Sequence, residues 1–154
     1  MELEMETGSP RLVEFAPGDP LYAVAVALRD AVLRKPLGLV FPIGMEEVER
    51  DYRHFGLVRS GAELSMLACL MVVPREGALQ IRQMAVEGSA QRGGHGTALM
   101  CGVEQILREG GFRGRMYLHA RATAVPFYER LGYAVLGAPF EEVGIPHRLM
   151  EKTV

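Results

Sequence analysis

The stretch from Met84 to Thr97 constrains the fold of this chain more than any other. An apolar run ends at Val86, the residues Gln91-Arg92-Gly93-Gly94-His95-Gly96 follow, and apolar positions at helical spacing begin near Thr97. The stretch reads as a strand running through a glycine-rich turn into a helix N-terminus. Glycine lets backbone approach a bound group closely, and the first N–H groups of a helix point out of its end. The combination is a ready-made anion site. On its own, though, a glycine-rich turn also serves simply to end a strand.

Further elements fall on either side. Arg11–Phe15 reads as an edge strand. Asp19-Pro20 is a helix start, with a capping side chain before proline at the first helical position. Leu21, Val24, Leu28 and Val32 recur at helical spacing until Pro36 and Gly38 stop the helix. Met45 to Asp51 is a short acidic helix or loop. Three strands follow, His54–Arg59, Glu63–Val73 and Leu79–Val86, separated by Ser60-Gly61 and by Pro74-Arg-Glu-Gly77. Short connections predict an antiparallel meander. The next helix buries Leu99, Val103, Ile106 and Leu107 and ends at Gly110-Gly111. A strand over Arg115–His119, a helix over Thr123–Leu131 closed by Gly132, and strands near Tyr133–Leu136 and His147–Lys152 complete the chain. Strands first, then helix–strand–helix–strand, give an α/β class with an α+β mixed sheet rather than a doubly wound one.

Composition fits one domain over 11–154 with a loose tail over 1–10, and 154 residues suffice for a substantial core. A net charge of −2 without a Lys/Arg cluster argues against a nucleic-acid partner. Met1-Glu-Leu-Glu-Met-Glu6 is acidic, unlike a signal peptide, and no apolar run reaches the length of a membrane span. Cys69 and Cys101 lie in apolar patterns without metal or disulfide spacing, so both are expected as buried thiols in a cytoplasmic protein. No paired His/Cys spacing suggests a metal. No phosphate-binding G-x-x-x-x-G-K-S/T and no G-x-S-x-G elbow is present.

The spacing Gln91-x-x-Gly94-x-Gly96 resembles the acyl-CoA pyrophosphate loop of the GCN5-related N-acetyltransferases, the GNAT superfamily. Ala124-Val-Pro-Phe-Tyr128-Glu-Arg-Leu-Gly132-Tyr133 is similar to that superfamily's tyrosine-bearing helix with its following glycine and aromatic strand. Gly144-Ile-Pro-His147-Arg-Leu-Met150 and Val32-Leu-Arg-Lys-Pro-Leu-Gly38 resemble its bacterial ElaA-like branch. The resemblance covers most of the chain. It implies the acyl-CoA N-acyltransferase fold, a central mostly antiparallel sheet flanked by about four helices. It also implies transfer of an acetyl group from acetyl-CoA to a primary amine of a small molecule or peptide, without a metal or membrane partner. Homodimerisation is left open, as are a different acyl donor and a silent acyl-CoA-binding module.

Roles follow residue by residue. The resemblance assigns the diphosphate to the backbone of Gln91, Arg92, Gly93, Gly94, His95, Gly96 and Thr97, and pantetheine and the thioester carbonyl to the strand backbone at Met84, Ala85 and Val86. Arg121 stands where many relatives carry a cofactor-contacting asparagine, which puts that hydrogen bond in doubt here. Amine acylation needs a neutral amine, donors for the oxyanion and a proton for the leaving thiolate. Tyr128, seven residues after Arg121 and four before Gly132, occupies the general-acid position, and a phenol stays protonated at neutral pH. Against that stands the ordinary fate of a helix-face tyrosine, packing near Phe127. For a proton acceptor the chain offers His147, since imidazole titrates near neutrality, and more remotely His54. A histidine merely satisfied at a strand start is the competing reading. Glu141 and Glu142, expected in a loop before His147, are candidates for attracting a cationic substrate, or are simply solvated. Acceptor-facing segments are expected around 34–54 and 137–146.

Overall fold

The computed structural model describes residues 9–61, 64–88 and 93–154. The tail proposed for 1–10 therefore falls outside the described residues apart from its last two positions, as does the expected strand start at Glu63. The elements are β1 (Arg11–Phe15), α1 (Pro20–Arg29), α2 (Met45–Val48), β2 (Arg53–Arg59), β3 (Ser65–Arg75), β4 (Ala78–Val86), α3 (His95–Glu109), β5 (Arg115–Arg121), α4 (Val125–Arg130), β6 (Ala134–Glu142) and β7 (Ile145–Thr153). The strands form a seven-stranded sheet in the order β1-β2-β3-β4-β5-β7-β6. Pairing is antiparallel for β1 with β2, β5 with β7 and β6 with β7, and parallel for β4 with β5. This is the mixed sheet that the element order implies, and the four α-helices among the described residues agree with what the resemblance implies. No helix among the described residues is long and apolar enough to cross a membrane.

The chain divides into two compact units, the first holding residues up to Met71 together with Gln83–Val103. In it Pro20 opens α1 behind Asp19, whose backbone is extended (φ −84°, ψ 145°) but whose side chain makes no capping bond, so the start rests on proline. Tyr22, Ala25, Leu28 and Arg29 lie on one face of α1 and are buried. Tyr22, Ala25 and Leu28 join Phe15, Val58, Met66, Cys69 and Ala85 in one apolar cluster. Beyond Arg29 the helix does not simply run on to Val32: it loosens into a π-turn over Asp30–Arg34, tightens into a 3-10 turn over Lys35–Leu37, and stops at Gly38 with φ 69°. A Cβ at Gly56 of β2 would come within 2.8 Å of Met66 Cε, the far end of a flexible side chain that would have to shift to admit it.

The second unit holds Val72–Arg82 and Glu104–Val154. Here α3 ends at Gly111 with φ 97°, while the Phe112 N–H donates to the Leu107 carbonyl at 2.9 Å, the glycine-terminated helix end that Gly110-Gly111 announces. Met116, Leu118, Ala120 and Met150 are buried on one sheet face. Register places Lys152 on that face beside Met116, and its Nζ donates to Glu104 Oε1 of α3 at 2.8 Å. Tyr117, His119 and Arg121 alternate onto the other face.

Three expectations need correction. β6 does not stop near Leu136 but continues to Glu142, so Glu141 and Glu142 are strand residues rather than loop residues. Gly137-Ala-Pro139 reads as a strand stop, yet it is absorbed by a register shift in which proline owes the ladder no donor. Cys101 is exposed, whereas Cys69 is buried as expected. And the helix expected over 123–131 is a 3-10 turn, Ala122–Ala124, followed by the α-helix Val125–Arg130.

Candidate active site

In the first unit the strand leading to the glycine turn is not regular. Gln83 has φ 55°, a left-handed value rare for a residue with a side chain, and its Oε1 is buried with no hydrogen-bond partner among the described residues. A left-handed residue inside a strand is a local backbone strain of the kind that clusters at functional sites. Met84, Ala85 and Val86 follow immediately. Ala85 is 1% exposed and belongs to the apolar cluster, while Met84 and Val86 are half-buried.

Gln91 and Arg92 lie outside the described residues. Gly93 and Gly94 are exposed, and Gly94 adopts φ 81° with open space where a Cβ would stand. The α3 ladder begins with the Ala98 N–H donating to the Gly94 carbonyl at 2.9 Å. Gly94 thus stands at the head of a 15-residue helix, whose N-terminal end carries partial positive charge. The partial positive charge there suits a diphosphate without any cation. Thr97 is exposed, His95 half-buried and Gly96 buried.

His54, also in this unit, is 2% exposed. Its Nε2 lies 2.9 Å from the Glu49 carbonyl oxygen, and its ring packs against Phe15 and edge-on to Tyr22. Beside it sits a charge cluster that no local sequence pattern announces. Arg29 grips Glu49 with both terminal nitrogens, at 2.8 and 2.7 Å, and the Tyr22 hydroxyl donates to Glu49 Oε1 at 2.9 Å. Burial raises the Glu49 pKa, but the Arg29 hydrogen bonds and charge, with the Tyr22 hydrogen bond, more than offset it, so the carboxyl titrates below its usual range.

In the second unit Tyr128 is 7% exposed on α4, edge-on to Phe127 and Tyr133. Burial pushes its phenol up to about 12, opposed in part by the charge of Arg121. The hydroxyl therefore holds its proton at neutral pH, as a proton donor must. Register sets Arg121 directly opposite His147, and His147 directly opposite Phe140. Residues opposed across a ladder share a face, so these three form a row. His147 is 4% exposed, and its Nδ1 donates to the Ile145 carbonyl at 2.9 Å, which leaves Nε2 as the nitrogen with the lone pair. Glu141 is exposed. Glu142 is committed to a partner, its Oε1 lying 2.9 Å from His119 Nδ1. His119 was missed in the sequence reading. The signal that could have found it is the alternation Arg115, Tyr117, His119, Arg121 against Met116, Leu118, Ala120, polar on one face and apolar on the other.

Residues 45–154 match the acetyltransferase (GNAT) domain family, well over half of the chain, and the chain belongs to that family. Its members are acyltransferases that use acyl-CoA. The uncharacterized N-acetyltransferase YjcF of Bacillus subtilis (strain 168) is 35% identical over 79 residues, 51% of this chain and 56% of that one. The chain spans about half the length of the curated relatives it matches. An N-acetyltransferase structure from Lactobacillus plantarum superimposes with a TM-score of 0.80 at 22% identity, covering 95% of this chain and 99% of the other. Escherichia coli ElaA does so with a TM-score of 0.75 at 19% identity, covering 94% and 99%. At that identity the likeness is one of fold.

Proposed function

We propose that this protein transfers an acetyl group from acetyl-CoA to a primary amine by direct attack of the amine on the thioester. The observation that carries the reading is the left-handed Gln83 near the end of β4, together with exposed glycines at the head of α3, within a chain of this family. The backbone of Gly93 to Thr97, with Gln91 and Arg92, receives the diphosphate. Met84, Ala85 and Val86 offer backbone groups to pantetheine and the thioester oxygen. Arg121, whose charge Tyr128 senses, serves the cofactor side. Tyr128 gives its proton to the departing thiolate, and His147 accepts a proton from the attacking nitrogen through water. Glu141 leaves negative charge where a cationic amine approaches. His54, with its ring packed and Nε2 engaged, is assigned to the buried cluster rather than to proton transfer. Thiol release from acetyl-CoA across an amine panel, with wild type and Tyr128→Phe, tests the reading. Amine-dependent release that falls by roughly 100-fold or more in the variant supports it. Equal rates remove Tyr128 from the chemistry, and no release by wild type removes the activity.

A further inference from the structure

His119 and Glu142 meet where the ladder alone would keep them apart. His119 is opposite Leu149, and Glu142 is opposite Ile145. Four residues of β7 separate those rows, roughly 13 Å along a straight strand, and β7 itself lies between β5 and β6, adding roughly 10 Å sideways. Yet the side chains close to 2.9 Å. The hairpin end must therefore bend over the face that carries His119, Arg121 and His147. Its backbone shows how: between Leu136–Leu149 and Phe140–His147, β6 advances four residues while β7 advances two, with Gly137 at φ 82°. The fold-over brings Phe140 edge-on to His119 at 5.2 Å between ring centres, and 6.0 Å from His147.

We propose that His119, held by Glu142, is a second proton acceptor of the acyl transfer, the one through which a proton leaves for solvent. This rests on the N-acetyltransferase reading above. An alkylamine reaches the site as R–NH3+ and ends as an amide, so its nitrogen loses two protons. The thiolate sulfur gains one from Tyr128, and one must be delivered to bulk water. His119 takes the first: its Nε2 lone pair forms the new N–H bond, the amine N–H bond breaks, and the freed electron pair stays on the amine nitrogen for attack. The imidazolium, stabilised by the Glu142 carboxylate, then passes that proton to water. His147 accepts the second through water, once the C–N bond has formed, and that proton returns to the Tyr128 phenolate. Exposure divides the labour. The His119 side chain is 35% exposed and can exchange with solvent, whereas His147 is 4% exposed. Because a carboxylate only accepts, Glu142 fixes the proton on His119 Nδ1 and leaves Nε2 as the base. Glu142 is thus a positioning residue.

The experiment is thiol release from acetyl-CoA with unbranched primary alkylamines and, for each, a weakly basic fluorinated counterpart that is neutral at assay pH. His119→Gln is expected to lower kcat/KM for the ammonium-forming amines by roughly 100-fold and to change it for the neutral ones by less than about threefold. Glu142→Gln is expected to show the same selectivity with a smaller loss, and it carries the comparison where His119→Gln does not fold. Equal losses on both amine types, or none, would overturn the dyad while leaving the acyltransferase intact. Failure of wild type to release thiol with any amine would overturn the acyl-transfer reading and the dyad with it.

Discussion

Removing the Glu49 carboxylate is the sharpest perturbation of the fold. Arg29 is 2% exposed and Glu49 is 5% exposed, and the pair is doubly hydrogen-bonded. Two charges about 4 Å apart attract by roughly 4 kcal/mol at an effective dielectric of about 20, most of which offsets the desolvation of both groups. The pair's net contribution is therefore small, but Glu49→Ala leaves the guanidinium buried without its anion, which costs about 3–5 kcal/mol. For a chain of this size that lowers Tm by roughly 6–20 °C. Tyr22 loses its acceptor at the same time. The triple variant Tyr22→Phe, Arg29→Met, Glu49→Leu removes all three polar partners together, and recovery to within about 2 kcal/mol of wild type is expected. Denaturant and thermal unfolding measure both. The cluster also has a pH signature. The folded-state pKa of Glu49 lies below its unfolded value, so its contribution is present above the ordinary carboxylate range and is lost as pH falls through the folded value. A loss under about 1 kcal/mol for Glu49→Ala would refute the reasoning, because a buried cation cannot lose its counter-ion so cheaply.

Other outcomes follow from single positions. Val143 stands at φ 48° in the β6–β7 turn, an unfavourable conformation for a β-branched residue, with Gly144 at φ 79° after it. Val143→Asn creates an Asn-Gly turn and is expected to stabilise the protein by about 1 kcal/mol in denaturant unfolding. Burial raises the Cys69 thiol to about 12, whereas Cys101 is exposed. A thiol reagent at neutral pH should therefore label one site in the native protein and two after unfolding, with peptide mapping placing the first label at Cys101. Tyr128→Phe removes only a hydroxyl and is expected to leave Tm nearly unchanged while lowering kcat, a separation that unfolding and turnover assays on one preparation would show.

What was legible in the sequence is what repeats or breaks locally. The period-3.6 apolar face of α3, the stop at Gly38 and the turn at Gly110-Gly111 stand where the sequence places them, whereas α1 buries Tyr22, Ala25, Leu28 and Arg29, and of the stripe Leu21, Val24, Leu28 and Val32 only Leu28 is fully buried. The mixed sheet followed from element order. What escaped depends on contacts distant in sequence. Glu49 is twenty residues from Arg29, and neither position carries a pattern foretelling a buried ion pair. Gly137-Ala-Pro139 reads locally as a stop, but the ladder resumes at Phe140 because β7 can slip past a bulge. That slip decides what Glu142 touches, so a carboxylate expected in a loop is committed to His119 instead. Gln83 gives no hint of its left-handed backbone, since the strand around it reads as regular.

The most direct test of the central claim is thermal unfolding under titration with acetyl-CoA, for wild type, Gly94→Asp and Gly94→Asn. Both substitutions impose the same strain at φ 81°, but only aspartate adds negative charge beside the proposed diphosphate. A ligand bound only to the folded state adds about 2.7 kcal/mol at 100 times its Kd. The account predicts saturable stabilisation of wild type, retained in Gly94→Asn and lost in folded Gly94→Asp. No stabilisation of wild type at any concentration would contradict it.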